Sequence, residues 1–168
     1  LPILKSWRSG LILLVASAMG ETAPPAPPAS GPTAGPDEGT TVIVVVGAPG
    51  EEEFATVFAG ETGRWEKVCS QAKAKFSAIG QAAAGAMNDH DLLKQTLDAE
   101  AREGAGELWL VFIGHGTFDG KEAKFNLRGP DLSATDLALW LQPFHRPLAI
   151  IDTSSASAPF LNKLSGPN

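Results

Sequence analysis

Two uninterrupted apolar runs, TVIVVVG (Thr41 to Gly47) and ELWLVFIG (Glu107 to Gly114), constrain this chain more than any other feature. A strand with one wet face alternates apolar and polar residues. A run with almost no polar position is buried on both faces, as in a parallel sheet covered by helices. The first run is broken by Ala48-Pro49-Gly50, and Glu51, Glu52 and Glu53 then suit a helix start, where negative charge meets the macrodipole. Phe54, Val57 and Phe58 share a helical face. A second helix is expected after Thr62, with Trp65, Val68, Cys69 and Ala72 at i, i+3, i+4 and i+7.

The alternation continues. Phe76 to Ile79 reads as a short strand, and Asp91 to Arg102 as a helix capped by Asn88 or Asp89 and stopped by Gly104. Thr117 to Leu127 is hairpin-like around an Asp119-Gly120 turn signal. Ser133 caps a helix through Trp140, with Leu137, Leu139 and Trp140 as much of its apolar surface. Pro147 introduces a strand over Leu148 to Ile151, and from Ser154 the chain turns toward a helix with Phe160, Leu161 and Leu164. Strand–helix alternation with buried strands predicts an α/β fold, a mostly parallel sheet flanked by helices on both faces. The sequence stops directly after a helix with about four strands counted, so the domain is expected to be incomplete at its C-terminus.

At 168 residues the chain is long enough for about one domain. Its 43% hydrophobic and 19% charged content supports a packed core. Thirteen Lys and Arg against nineteen Asp and Glu, a net charge of −6, argue against a nucleic-acid partner and against an anionic membrane surface. One cysteine, Cys69, excludes an intrachain disulfide and a Cys-rich zinc site. Three histidines (His90, His115, His145) without HExxH spacing argue against a zinc hydrolase, and no metal is expected. Gly47-Ala48-Pro49-Gly50 follows a strand but lacks both GxGxxG and a following Lys-Ser/Thr, so no nucleotide or other cofactor is expected.

The front end has a different character. Residues 1–20, LPILKSWRSGLILLVASAMG, place Lys5 and Arg8 before a short apolar run from Leu11 to Val15, then Ala16-Ser17-Ala18 at cleavage-site spacing. That run is far shorter than the roughly 20 residues of a membrane span. The reading is a signal peptide and a secreted or periplasmic protein; an uncleaved N-terminal anchor or a frayed tail is the alternative. Residues 21–40, rich in Pro, Ala and Gly, read as a semi-extended linker, leaving residues 41–168 as the folded domain.

In open α/β sheets, ligands bind beyond the carboxyl ends of the strands. Gly114-His115-Gly116 stands at one such end and Asp152-Thr153-Ser154-Ser155-Ala156-Ser157 at another. A histidine between glycines can display a general base, and a serine cluster at a strand-to-helix turn can present a hydroxyl and backbone N–H groups. If the two strands are neighbours, His115 and a serine hydroxyl form a nucleophile–base pair. The bland readings are a solvated turn histidine and a redundant helix cap. Asp152 or Asp119 could orient His115, although Asp152 also suits a strand-end residue bonding to backbone. His90 reads as a solvated helix start, His145 and Arg146 as a surface loop, and Cys69 as a packed core position.

These residues carry a resemblance. A hydrophobic strand, His-Gly, a hairpin, a helix and a second hydrophobic strand ending in a small-residue turn resemble the caspase-like cysteine peptidase fold of caspases, metacaspases, legumains and gingipains. LWLVFIGHG (Leu108 to Gly116) is similar to the family's histidine strand. AIIDTSSASA (Ala149 to Ala158) resembles its nucleophile strand, an acidic or amide residue and a small residue before Cys, often followed by x-Ser-Gly. The resemblance spans residues 41–168. It implies a peptide or protein substrate, His115 as base, and an oxyanion hole from the N–H groups of Gly116 and the nucleophile.

The departure from the family is at the nucleophile, where this chain has no cysteine. Counting from the strand end puts Ser154 there; matching Ser157-Ala158 to the downstream Ser-Gly puts Ser155 there, which is the preferred alignment. A thiol of pKa about 8.5 is partly ionised at neutral pH, whereas an alcohol needs a well-oriented base. A Ser–His hydrolase and a catalytically silent peptide-binding or scaffolding domain both stay open, with an unrelated Rossmann-like ligand-binding domain as a third reading.

Overall fold

The computed structural model describes residues 39–83 and 85–166. The expected signal peptide and all but the last two residues of the linker lie outside the described residues. In chain order the elements are β1 (Thr41–Val46), α1 (Glu52–Ala72), β2 (Lys75–Ile79), α2 (Asp89–Ala99), β3 (Leu108–Ile113), β4 (Gly116–Phe118), β5 (Ala123–Phe125), β6 (Leu132–Ser133), α3 (Ala134–Leu141), β7 (Leu148–Asp152) and α4 (Ser157–Leu164). β2, β1, β3 and β7 form a parallel sheet in that spatial order, and β4, β5 and β6 form a small antiparallel sheet. The fold is therefore α/β, with helices on both faces of the parallel sheet.

The two apolar runs become the central strands because each carries two buried faces. Ile43 and Val45 of β1, with Leu108, Leu110 and Phe112 of β3, join the core beneath α2, α3, α4 and the small sheet. Val42, Val44 and Val46, with Val111 and Ile113, join a second core capped by Phe58 and Cys69 of α1. Even-numbered residues of β3 thus face the first layer and odd-numbered ones face α1, the two-residue period of a strand.

Three expectations are corrected. The two helices expected after Gly50 are one, because Phe58, Thr62 and Cys69 present a continuous buried stripe to the sheet. Gly60 and Gly63 do not break it, and the space around their Cβ positions is open. The helix expected to reach Arg102 ends at Ala99. Glu100 takes an extended conformation (ψ 149), and its carboxylate meets Lys75 Nζ at 2.5 Å and Arg146 Nη1 at 3.8 Å. Arg146 is no surface residue. It is 7% exposed, and its guanidinium donates to the carbonyls of Gly106 (2.6 Å) and Glu107 (3.0 Å), fastening the approach to β3. His145 does stay on the surface.

Some apolar assignments also change. Leu137 is buried, but Leu139 faces outward, and Ala134 and Leu141 complete the packed face of α3. Leu161 and Val68 are exposed as well, since each is one residue out of phase with a packed neighbour, Phe160 and Cys69 respectively. The caps follow the sequence closely. Asn88 accepts the Asp91 N–H at the start of α2, and Ser133 accepts the Asp136 N–H at the start of α3. Arg128 ties the loop after β5 to α2 through two bonds to the buried Asp89 carboxylate, 2.7 and 3.0 Å long. These bonds hold the Arg128 guanidinium above its usual pKa.

Candidate functional site

β3 and β7 are adjacent and parallel, with Phe112 opposite Asp152. Their carboxyl ends therefore deliver Gly114-His115-Gly116 and Asp152 to Ser155 to one edge of the sheet. Thr153 seals the junction, its N–H and hydroxyl both donating to the Phe112 carbonyl at 3.1 and 2.9 Å. Gly114 lets the chain pass, since a Cβ there would lie 2.8 Å from the Phe125 ring and 2.9 Å from Gly47 Cα.

Parity decides where the next two residues point. His115 continues the odd-numbered series of Val111 and Ile113 toward α1. Its ring sits edge-on to Phe54 (centroids 4.5 Å, 87°) and to Phe58 (5.3 Å, 63°). Gly116 faces the other layer and meets the serine turn. A Cβ on Gly116 would be 2.7 Å from Ser154 Oγ and 2.8 Å from Ala156 Cβ, closer than real side chains come. The two motifs thus interlock through a position that only glycine fits.

The backbone of Gly116 is also directed at this turn. Asn126 N–H donates to the His115 carbonyl at 2.9 Å, which makes that pair the hydrogen-bonded one. The next pair, Gly116 with Phe125, is then the non-hydrogen-bonded kind, and both polar groups of Gly116 lie on the edge away from β5. Ser155 Oγ occupies that edge, donating to the Gly116 carbonyl at 3.0 Å. The Gly116 N–H points the same way. Ser154 N–H is taken by Asp152 Oδ1 (2.9 Å), and Ser157 N–H by the Ser154 carbonyl (3.3 Å). Among the described residues no partner takes the N–H of Ser155.

The two serines have different surroundings. Ser155 is exposed, whereas Ser154 is buried beneath Gly116 with no hydrogen-bond partner for its hydroxyl among the described residues. Asp152 has one carboxylate oxygen on Ser154 N–H and the other buried without a partner. Burial pushes the Asp152 carboxyl up, against the pull of the Ser154 N–H and, more weakly, of the nearby Ser154 side chain. Neither expected orienting carboxylate hydrogen-bonds to His115. Asp119 closes its own hairpin turn, its Oδ1 accepting from Lys121 and Glu122 N–H at 2.8 Å each; the Glu122 and Lys121 N–H groups lower its pKa. His115 and Ser155 are brought to one sheet edge, but the serine proton is directed at a carbonyl rather than at the imidazole.

Other candidate positions lie elsewhere. Cys69 is buried between α1 and the sheet, and burial raises its thiol pKa. His90 pairs with Asp91 at the start of α2. Ala48 N–H donates to the Asn126 carbonyl (2.9 Å) and Gly47 N–H to the Ile113 carbonyl (2.9 Å), which ties this loop to β3 and to the segment after β5. Among the described residues no three His, Cys, Asp or Glu side chains converge as metal ligands. The neighbours that sequence reasoning missed are Phe54 and Phe58. Their i, i+4 spacing directly after β1 was visible, but it signals only a packed helical face.

No protein-family model, curated protein or solved structure matches this chain.

Proposed function

We propose that residues 41–168 form a caspase-like hydrolase of peptides or proteins in which Ser155 replaces the cysteine nucleophile and His115 is the base. The carrying observation is the 3.0 Å bond from Ser155 Oγ to the Gly116 carbonyl, which holds the exposed serine one residue from His115 at adjacent strand ends. The order of elements supports the family assignment: a buried strand, His-Gly, an antiparallel hairpin, a helix, and the neighbouring parallel strand ending in small residues. The N-terminal residues favour an exported protein.

In the reaction, the Ser155 hydroxyl must leave the Gly116 carbonyl and turn to the imidazole of His115. Such bonds often tighten only when substrate is present. Ser155 Oγ attacks the scissile carbonyl carbon as His115 takes the proton. In this reading the developing oxyanion is received by the N–H groups of Gly116, directed away from β5, and of Ser155, which no partner takes among the described residues. The C–N bond breaks, His115 returns the proton to the leaving amine, and water then releases the acyl group from Ser155. Ser154, buried under Gly116, takes no part.

One observation favours a second reading, a silent peptide-binding domain. The Ser155 proton rests on a carbonyl, and among the described residues no carboxylate hydrogen-bonds to His115. The two readings separate in a peptide-library digest read by mass spectrometry. Cleavage by the wild type that disappears in both Ser155→Ala and His115→Ala is the expected result. No cleavage from a folded wild type, or equal cleavage by the variants, refutes the hydrolase and leaves the binding domain.

A further inference from the structure

A serine nucleophile demands a base whose ring is held in one orientation, and in Ser-His-Asp sites a carboxylate does this. Here Asp119 is tied to its own turn and Asp152 to Ser154 N–H. We propose that Phe54 and Phe58 are the positioning residues of His115, fixing its imidazole by aromatic packing where other sites use a carboxylate; this rests on the hydrolase reading above.

The geometry is that of a bracket. Phe54 and Phe58 are four residues apart on α1, so their rings stand one above the other, 6.1 Å between centroids. His115 enters edge-on to both, at 4.5 and 5.3 Å, within the range where a positive ring edge meets a negative face. Phe58 is 8% exposed and anchored in the core under α1, so it forms the floor. Phe54 is 38% exposed and forms the outer wall. The bracket sets the plane of the imidazole, and among the described residues no hydrogen bond takes either ring nitrogen.

Phe54 is the position to test, because its exposure places it outside the packed core and its variants should fold. Phe54→Leu keeps the apolar volume and removes the ring; Phe54→Tyr keeps the ring. With the best-cleaved library peptide, F54L is expected to lower kcat about tenfold with KM within about twofold, the effect of a misaimed base rather than a lost binding contact. F54Y should restore kcat. A second readout needs no turnover: carbethoxylation of His115 by diethyl pyrocarbonate, followed by peptide mass spectrometry. F54L should label several-fold faster at His115 and F54Y at the wild-type rate, with His90 and His145 unchanged as internal references. Cleavage and His115 labelling both indifferent to F54L overturn the bracket. A folded wild type that cleaves nothing, with His115 labelling still accelerated in F54L, overturns the hydrolase while leaving the bracket standing.

Discussion

Gly116→Ala tests the interlock on which the site depends. The added Cβ would lie 2.7 Å from Ser154 Oγ, 2.8 Å from Ala156 Cβ and 3.0 Å from Ser154 Cβ. Carbon–carbon contacts relax at about 3.5–4.0 Å, so the serine turn or β4 must retreat by roughly 0.7 Å. Neither moves easily. Ala156 is 3% exposed, Ser154 is held by its bond to Asp152, and β4 is laced to β5. Overpacking of this kind costs about 1–3 kcal/mol. The same retreat stretches the 3.0 Å Ser155–Gly116 bond beyond hydrogen-bond range, a further loss of about 1 kcal/mol. Reduced entropy of the unfolded chain returns about 0.4–1 kcal/mol. The net expectation is a loss of about 1–3.5 kcal/mol, a large share of the stability of an ordinary domain. At a urea m-value of about 2 kcal/mol per M, the unfolding midpoint should fall by about 0.5–1.8 M with m unchanged. Gly63→Ala is the control. It lies mid-helix with open space around its Cβ, and should raise stability by about 1 kcal/mol. A Gly116→Ala midpoint within about 0.3 M of wild type would refute the close approach of the two loops.

Other substitutions probe the surroundings of the site. Ser154→Ala removes a buried hydroxyl that has no partner, so stability should hold or rise by up to about 1 kcal/mol in urea titration; a clear loss would mean that the hydroxyl is paired. Asp152 has a folded-state pKa raised by burial, so the folded state holds its proton more tightly than the unfolded state does. Stability attributable to Asp152 should therefore fall as pH rises from the ordinary carboxylate value through the raised one. Asp152→Asn, which keeps an acceptor for Ser154 N–H, should lose that decline, and parallel pH–stability curves for the two proteins would contradict the assignment. Arg128→Leu leaves Asp89, 5% exposed, without its cation; a loss of about 2–4 kcal/mol is expected by urea titration. Arg128→Lys should recover only part of it, since one ammonium cannot reproduce the fork.

The strands were legible because their chemistry is local. A run such as Thr41 to Val46 with every residue apolar or β-branched has no wet face to offer, and β1 and β3 are the two fully flanked strands of the sheet. Asn88 and Ser133 were legible as caps for a similar reason: a cap bonds to a backbone N–H three residues away. Long-range partners were not legible. Arg146 looked like a loop residue beside His145, and only the return of the chain to the start of β3 surrounds its guanidinium with carbonyls. The phase of an amphipathic helix was readable only to within one residue, as Leu139 and Leu161 demonstrate.

The same division holds at the candidate site. The sequence by itself determined that a histidine and a serine cluster end two buried strands, since the alternation of strand and helix and the breakers after each run are written in neighbouring residues. Tertiary structure decided that those strands are adjacent, that parity sends His115 toward Phe54 and Phe58, and that Gly116 lies flush against Ser154 and Ala156. It also decided which serine is exposed: Ser154 is buried under Gly116 and Ser155 faces solvent. No local pattern separates two adjacent serines. Their burial is set by the loop that packs over them, and that loop comes from a strand about forty residues earlier.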